Sequence, residues 1–269
     1  MSKNFGIFKS LKVLLHYRER LFQSVVQEVR MRYAGSVFGL GWAVVYPLLL
    51  LSLYALIYVV IFKVRPTSLS EWEYVALVFS GLVPLLAFNE SLMMSVSSLA
   101  SNRSLLMNTV FPAELIPVRA ILAGQIPSLF AMAATLVLGY AVGRTSWQAP
   151  IVVPVIWFFL LLFVIGIGWF LSLLTLVFKD IQQFLGLLLM MLIILSPFAY
   201  PPDMVPSGLR AILYLNPLSY FVLSFQQAIA YGSWPDLAVF LPACVISLAT
   251  FFGGYAFFKR AKYAFFDYV

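Results

Sequence analysis

The chain changes character within RMRYAGSVFGLGWAVVYP, which occupies residues 30 to 47. Arg30 and Arg32 begin this segment on the water side, and a long apolar run follows its end. Small residues lie between the two parts: Ala34, Gly35, Ser36, Gly39 and Gly41. They allow the backbone to bend and to pack closely, and Trp42 has the amphipathic ring that prefers the headgroup layer. The segment therefore predicts a passage from a surface helix into a membrane-spanning helix.

Composition places the chain among integral membrane proteins. Hydrophobic residues make up 63% and charged residues 10% of the sequence, and the mean hydropathy is +0.99, whereas about a quarter of the residues in soluble domains are charged. The net charge of +7 does not indicate nucleic-acid binding, because the basic residues lie at the chain ends and in loops, as orientation signals do. The single cysteine, Cys244, excludes a disulfide framework, and no metal site is predicted.

Residues 1 to 33 predict an amphipathic helix on the cytoplasmic membrane surface. Charged residues interrupt this segment too often for a signal peptide. Apolar residues recur at steps of three, four and seven: Phe8, Leu11, Leu15, Phe22, Val26, Val29 and Tyr33. Such a helix either anchors the chain at the inner leaflet or offers a surface to a cytosolic partner, and both interpretations stay open.

Residues 34 to 269 predict a membrane domain of six helical spans, since about 20 helical residues cross the hydrocarbon. The predicted spans are 41–62, 74–99, 117–142, 151–178, 183–199 and 237–258. Of the 17 Lys and Arg residues, all but Lys63, Arg65, Arg144 and Arg210 fall on the side of the N-terminus. The positive-inside bias therefore predicts a multi-pass protein of the inner (plasma) membrane with both termini cytoplasmic.

The predicted outer segment, residues 200–236, is too apolar for an ordinary loop. It contains two helical pieces on either side of Asn216-Pro217, and each is too short to cross a bilayer. They predict a re-entrant or interfacial hairpin on the periplasmic side. Such a hairpin would serve either as a gate at an exit or as a lid that packs the outer helix ends.

Aromatic residues form a ridge along the first predicted span: Trp42, Tyr46, Tyr54, Tyr58 and Phe62. A tyrosine in mid-span needs a partner or water for its hydroxyl, and a water-filled path for sugars would suit rings and phenols together. Tyr46, Tyr54 and Tyr58 are therefore candidate channel residues, with packing as the alternative. Glu90 lies at membrane depth and is a candidate for contact with substrate or for a helix–helix hydrogen bond to serine.

The sequence lacks the common motifs for nucleotide binding and for hydrolytic catalysis. It contains no GxxxxGK[ST] phosphate loop, no GxGxxG opening a helix after a strand, no HExxH and no GxSxG. We therefore expect a transport subunit, not an enzyme, with no cofactor in this chain and a partner that supplies any work. The predicted docking element is the inner loop from Ser101 to Pro117, where residues 102 to 108 suit a short helix and Phe111-Pro112 stiffens the return.

Several motifs occur together and in order along nearly the whole chain. They are Arg30-x-Arg-Tyr-x-x-Ser36-x-x-Gly39-x-x-Trp42-x-x-x-x-Pro47-Leu, Asn102-x-x-Leu105, Phe111-Pro112, Phe178-Lys179-Asp180, Ser196-Pro197, Asn216-Pro217 and Phe265-Phe266-Asp267. This set resembles the membrane subunit of bacterial polysaccharide exporters of the ABC-2 family, which export O-antigen, capsule or teichoic acid chains.

The resemblance implies a six-span subunit that forms a homodimer and works with two copies of a separate cytosolic ATPase, which binds ATP and Mg²⁺. It implies coupling to that ATPase through eight residues: Arg30, Arg32, Asn102, Arg103, Leu105, Leu106, Phe111 and Pro112. It also implies a periplasmic gate at five residues: Ser196, Pro197, Tyr200, Asn216 and Pro217.

The expected function is ATP-driven movement of a lipid-linked polysaccharide, such as O-antigen, across the inner membrane. One alternative is an ABC-2 exporter of teichoic acid, other lipids or drugs. A membrane-embedded transferase would need clustered catalytic carboxylates or histidines, whereas the acidic loop residues are scattered: Glu71, Glu73, Asp203 and Asp236. A passive channel would transport without nucleotide.

Overall fold

The computed structural model describes residues 15–61, 69–102, 112–200 and 210–266. Within these ranges the chain forms helices and short connections, with no strand, and the predicted all-α, polytopic membrane fold is confirmed. Four residues predicted to couple to an ATPase lie outside the described residues: Arg103, Leu105, Leu106 and Phe111. The first part of the predicted surface helix lies outside them as well.

Nine α-helices occur in the described residues. In chain order they are α1 (Arg18–Tyr33), α2 (Trp42–Ala55), α3 (Glu71–Ser101), α4 (Leu115–Ala141), α5 (Ala149–Val177), α6 (Ile181–Leu195), α7 (Arg210–Leu215), α8 (Pro217–Ile229) and α9 (Leu237–Phe266). A 3₁₀ turn, Gly39–Gly41, precedes α2, and a π-helix, Leu56–Ile61, continues it.

Five helical segments of the described chain are long and apolar enough to cross a membrane: α2 with its two extensions, α3, α4, α5 and α9. The last four contain 27 to 31 residues. At 1.5 Å per residue they are about 40 to 47 Å long, which exceeds the hydrocarbon thickness of about 30 Å. Their ends therefore extend into the headgroup layers.

The fifth predicted span, 183–199, is helical only as α6, whose 15 residues extend about 22 Å. The helix ends before Ser196, whose ψ is 139°, because Pro197 disfavours helical backbone at the residue before it. The chain then continues without regular structure, and the Tyr74 hydroxyl donates to the Ala199 carbonyl at 2.8 Å. The six-span count thus stays a prediction.

α3 is the central helix of the bundle, because most of its side chains are buried and it packs against α4, α5 and α8. Small residues allow the closest contacts, as is common between membrane helices. A Cβ atom added at Gly124 of α4 would lie 2.9 Å from the Cα of Ser91 of α3. A Cβ atom added at Gly254 of α9 would overlap the backbone of Gly166 of α5.

α1 contacts the bundle through Leu21 and Val25, which are buried, and it packs against α4. Two residues of the predicted apolar face, Leu15 and Phe22, are instead 64% and 70% exposed. Another residue of that face, Val29, packs on the core, so the periodicity of the sequence marks a face that coincides only in part with the one packed on α4. That exposed face is free to meet lipid or another protein.

The connection from α1 to α2 reverses the chain through left-handed backbone. Gly35 has a φ of 78° and Gly39 a φ of 51°, which a residue with a Cβ adopts at a cost. Trp42 then begins α2, and its ring meets that of Phe38 edge to face with centroids 5.3 Å apart. The predicted bend in this segment is thus built on glycine.

Successive helices run in opposite directions, so the loops fall at two ends. We call these two ends of the bundle the α1 end and the hairpin end. The hairpin consists of α7 and α8. Basic residues collect at the α1 end: Arg18, Arg20, Arg30, Arg32, Arg119, Lys179, Lys259, Arg260 and Lys262. Arg144 lies at the hairpin end, so the described residues keep the charge asymmetry read from the sequence.

Candidate functional site

An ion pair joins α1 to the centre of the bundle. Arg32, in the last turn of α1, pairs with Glu90 of α3, and their side chains are 35% and 24% exposed. A carboxylate at membrane depth is costly unless a cation compensates its charge, so Arg32 explains how Glu90 is accommodated. The structure thus brings together one residue predicted for ATPase coupling and one predicted for the channel.

A cavity of about 360 Å³ opens beside this ion pair between α1, α2, α3 and α4, and we call it the Arg32 pocket. Its polar lining consists of Arg32, Tyr46, Asn89, Glu90 and Ser128. Its apolar wall consists of Pro47, Leu50, Leu51, Val83, Leu86, Met93, Pro127 and Ala131. Two of the four predicted channel residues therefore meet here, while Tyr54 and Tyr58 do not line the pocket.

A second polar cluster ties α1 to both sides of the predicted docking loop. Arg119 of α4, only 7% exposed, lies 2.9 Å from a carboxylate oxygen of Glu28 of α1. Its guanidinium also donates to the Asn102 side-chain oxygen at 2.9 Å, and Asn102 donates in turn to the Ser98 carbonyl. Asn102, predicted to couple to an ATPase, is thereby connected to α1 through one buried arginine.

A third contact holds the other side of the docking loop. The Lys262 amine of α9 lies 2.8 Å from a carboxylate oxygen of Glu114, and the indole N–H of Trp169 donates to the Glu114 carbonyl at 2.8 Å. Pro112, also predicted for coupling, accepts the Leu115 N–H at 2.9 Å where α4 begins. The return of the loop is thus fixed to α5 and to α9.

Arg30 and Arg32 point in different directions, although the sequence assigned both to coupling. Arg30 is exposed and lines a separate groove of about 310 Å³ with Phe22, Gln23, Val26 and Gln27. This groove lies on the exposed face of α1, whereas Arg32 faces α3. Arg30 is therefore placed to meet another molecule and Arg32 to hold α1 on the bundle.

At the hairpin end, four of the five predicted gate residues lie in two chain segments, Ser196-Pro197 and Asn216-Pro217, which a hydrogen bond joins. Asn216, 5% exposed, donates to the Ser196 hydroxyl at 2.9 Å and accepts the Leu218 N–H at 3.0 Å, which caps α8. Pro217 is the first residue of α8, a position that suits its fixed φ. Pro197 follows Ser196, and its carbonyl accepts from the buried Gln226 side chain at 3.1 Å.

Tyr200, the remaining predicted gate residue, belongs to an aromatic cluster at the same end. Its hydroxyl donates to the Leu195 carbonyl at 3.4 Å, and burial raises the pKa of Tyr200. Tyr54 and Tyr58 stack with centroids 6.4 Å apart, and both meet the Phe198 ring edge to face at 6.5 and 6.0 Å. These two predicted channel tyrosines thus pack on the chain segment that leads into the hairpin.

The loop between α4 and α5 holds the hairpin from its far side. The Thr145 hydroxyl donates to the Ile229 carbonyl at the end of α8 at 2.8 Å. Beside it, the Arg144 guanidinium donates to Glu73 of α3 at 2.7 Å, and this hydrogen bond raises the pKa of Arg144. Hydrogen bonds therefore attach the end of α8 to the loop between α4 and α5, and attach that loop to α3.

Sequence reasoning missed four charged residues at the α1 end: Glu28, Glu114, Arg119 and Lys262. The sequence offered one indication of these contacts. The whole chain has only 10 acidic residues, so an acidic residue on a predicted basic surface is expected to pair with a basic one. In the described residues, no group of three or more His, Cys, Asp or Glu is placed to hold a metal ion.

Known proteins resemble the chain over most of its length. The family described as ABC-2 type transporter matches residues 19–230. An O-antigen export system permease protein RfbA of Klebsiella pneumoniae is 27% identical over 248 residues, which cover 89% of this chain and 90% of that protein.

Two further relatives come from other organisms. An O-antigen export system permease protein RfbA of Myxococcus xanthus is 24% identical over 258 residues, which cover 95% of this chain and 97% of that protein. The polysialic acid transport protein KpsM of Escherichia coli is 23% identical over 241 residues, which cover 89% of this chain and 92% of that protein.

Proposed function

The chain belongs to the ABC-2 type transporter family, and on this premise we propose that it is the membrane subunit of an ATP-driven exporter of a lipid-linked polysaccharide. The observation that carries the proposal is the similarity over about nine tenths of the chain to permeases named for O-antigen export. A further relative is named for polysialic acid transport, which supports polysaccharide as the class of cargo. Because these relatives are transport subunits, the chain is not an enzyme in itself.

ATP and Mg²⁺ bind to a separate ATPase in this proposal. The sequence contains no phosphate-binding loop, so energy has to arrive through contact with a partner. The proposed contact surface is the α1 end, where the exposed Arg30 groove lies beside α1 and where the docking loop leaves Asn102 and returns at Pro112. Two copies of the ATPase serve two copies of this subunit.

A homodimer encloses the proposed path. Within one subunit few residues of α2 are buried, and large apolar side chains of α6 are exposed, including Leu187, Met190 and Ile194. Surfaces of this kind meet lipid or a second copy of the chain. The proposed subunit spans the inner membrane with both termini in the cytoplasm, in line with the basic α1 end.

The polar contacts at the α1 end give the proposed coupling a physical route. Force applied to the docking loop reaches α1 through Asn102, Arg119 and Glu28, and it reaches α9 through Glu114 and Lys262. Helices α1, α4 and α9 then respond together to closure of the ATPase pair. The proposal assigns the two-state change to these contacts.

The polysaccharide path has two proposed sections. Tyr46 and Glu90 belong to the section near the α1 end, and Tyr54 and Tyr58 to the section next to the hairpin. Aromatic rings suit the apolar faces of sugars, while phenol hydroxyls suit their hydroxyl groups. The hairpin residues around Asn216 form the proposed gate.

Reconstitution tests this function. The subunit is purified with its ATPase and placed in vesicles, and ATP hydrolysis is measured with a lipid-linked O-antigen, a lipid-linked teichoic acid, phospholipid alone or a hydrophobic drug. We expect the lipid-linked polysaccharide to stimulate hydrolysis and to cross the bilayer only with ATP. Stimulation by teichoic acid, lipid or drug alone would support the alternative cargo, and transport without nucleotide would support a channel.

A further inference from the structure

We infer that the Arg32 pocket binds the headgroup of a zwitterionic phospholipid that carries a primary ammonium group. The phosphodiester lies against Arg32, and the ammonium group lies against Glu90. This inference goes beyond the proposed function: it gives Tyr46 and Glu90, two residues of the proposed path, a bilayer lipid as a second ligand. The inference rests on the charges of the pocket, on its lining and on its place in the bundle.

The first observation is the pair of unlike charges on one wall. Arg32 and Glu90 are in contact, and each side chain keeps an exposed fraction that faces the cavity. Arginine has five N–H donors and a carboxylate has about four acceptor sites, so one mutual contact leaves capacity on both. A weak contact from Arg32 to the Met94 sulfur at 3.5 Å uses little of this capacity. A zwitterion satisfies both groups at once.

The second observation is that the pocket is electrically balanced. A lone arginine would favour an anionic headgroup, but the adjacent Glu90 opposes a net negative ligand at the same short range. A quaternary ammonium group would lack the N–H donors that a carboxylate accepts. The charges therefore favour an ethanolamine headgroup over both glycerol and choline headgroups.

The third observation is the amphipathic lining. Asn89, Ser128 and Tyr46 add polar groups around the ion pair, and the rest of the wall is apolar. The volume of about 360 Å³ lies in the range of about 300 to 1,000 Å³ that is usual for small-ligand sites. Such a pocket matches a molecule with a charged head and an apolar remainder.

The fourth observation is the surface beside the pocket. Tyr46, Leu49 and Leu53 are 57%, 60% and 53% exposed, and their spacing places them on one side of α2. This apolar strip runs from the pocket toward the middle of the membrane, where acyl chains lie. Because Glu90 lies 11 residues from the last residue of α3, about 16 Å along the helix, the headgroup occupies a position somewhat deeper than the bulk headgroup layer.

Lipid titration of the purified full-length permease tests the inference. The protein is stripped of lipid in detergent and titrated with phosphatidylethanolamine, phosphatidylcholine or phosphatidylglycerol of identical acyl chains, and bound lipid is counted by native mass spectrometry. One ion pair of about 1 kcal/mol corresponds to about a fivefold change in affinity, so we expect ethanolamine lipid to bind about fivefold tighter than the other two. Glycerophosphoethanolamine, which has no acyl chains, should compete weakly.

Glu90→Gln should remove the preference for ethanolamine lipid, whereas Arg32→Gln should weaken the binding of all three lipids, because each of them carries the phosphodiester. Arg18→Gln and Glu19→Gln are matched controls, because both residues lie exposed on α1 and their substitution should leave the preference intact. Retention of the preference in the Glu90 variant, or unchanged affinity for all three lipids in the Arg32 variant, would overturn the inference. Tighter binding of phosphatidylglycerol by the unmodified protein would also overturn it, and that measurement needs no variant. Competition by glycerophosphoethanolamine as strong as by the whole lipid would contradict the lipid assignment.

Discussion

The two ends of the bundle are held together by different chemistry. At the α1 end, charged side chains from separate helices meet, as in Arg32 with Glu90 and Arg119 with Glu28. At the hairpin end, buried neutral groups bond to backbone, as Asn216 does in capping α8. Charged contacts between long side chains can exchange partners and respond to a second protein, whereas caps and backbone contacts fix a local shape. The α1 end is therefore the proposed moving part of the subunit, and the hairpin end is a part with a fixed local shape.

Arg119→Met should weaken the α1 end most. Removing one member of a buried charge pair costs about 3 to 5 kcal/mol, and because the Glu28 side chain is 22% exposed we expect the lower value, about 3 kcal/mol. Thermal unfolding in detergent measures the stability, and cargo-stimulated ATP hydrolysis should fall along with it. The control is Arg18→Met, on the exposed side of α1. If the Arg119 and Arg18 variants lost the same amount of stability, Arg119 would not be a residue that connects α1 to α4.

Asn216→Ala tests the hairpin end. The variant loses the cap of α8 and the donation to Ser196, and we expect a loss of about 2 kcal/mol of stability. Asn216→Ser keeps a neutral oxygen that can cap α8 and loses the amide donor, so its loss should be smaller. If the two variants were equally unstable, the cap would contribute nothing and the hairpin would be held by packing alone.

Glu114 and Lys262 test whether α9 is coupled to the docking loop. Glu114→Gln, Lys262→Gln and the double variant form a cycle, and we expect a coupling energy of about 1 kcal/mol, because both side chains are mostly buried at 11% and 17% exposure. Each single variant should also reduce the cargo-stimulated ATPase rate. If the effects of the two single substitutions were additive in both measurements, α9 would not belong to the proposed coupling route.

Arg144→Gln should have the smallest effect. Its partner Glu73 lies in the first turn of α3, and ion pairs near the surface contribute little to stability and are screened by salt. The hydrogen bond to Glu73 raises the pKa of Arg144, so the contribution is present while Glu73 is ionised and is lost as the pH rises through the pKa of Arg144. Unfolding at pH 6 and pH 9 should therefore show the same small difference. A large loss of stability would place an ion pair among the main supports of the hairpin end.

Sequence patterns correctly indicated an all-helical, polytopic membrane protein, because a membrane-spanning helix requires a long apolar run. They placed the start of the second span at residue 74, whereas α3 begins at Glu71 behind a capping box formed by Ser70 and Glu73, a local motif that hydropathy does not register. They also ended the last span at residue 258, whereas the helix α9 continues to Phe266 and thereby brings Lys262 to Glu114.

The polar contacts of the candidate site could not be predicted in the same way. Glu90 stood out as a charge at membrane depth, but its partner Arg32 lies 58 positions earlier in the sequence, and their pairing depends on how α1 packs on the bundle. The Asn216-Pro217 turn, by contrast, was predictable as the start of a helix, because asparagine caps and proline follows it at the first position. Local motifs such as caps can be recognised in the sequence, whereas contacts between helices distant in sequence cannot.

At the crossing of Gly166 with Gly254 there is no room for a side chain between α5 and α9. Main-chain atoms meet there, and the Trp169 ring packs on Phe251 and Tyr255 nearby, so sliding of one helix along the other would bring atoms into collision. The two helices are therefore expected to tilt as one rigid pair. A displacement of α9 at Lys262 would then tilt α5 as well.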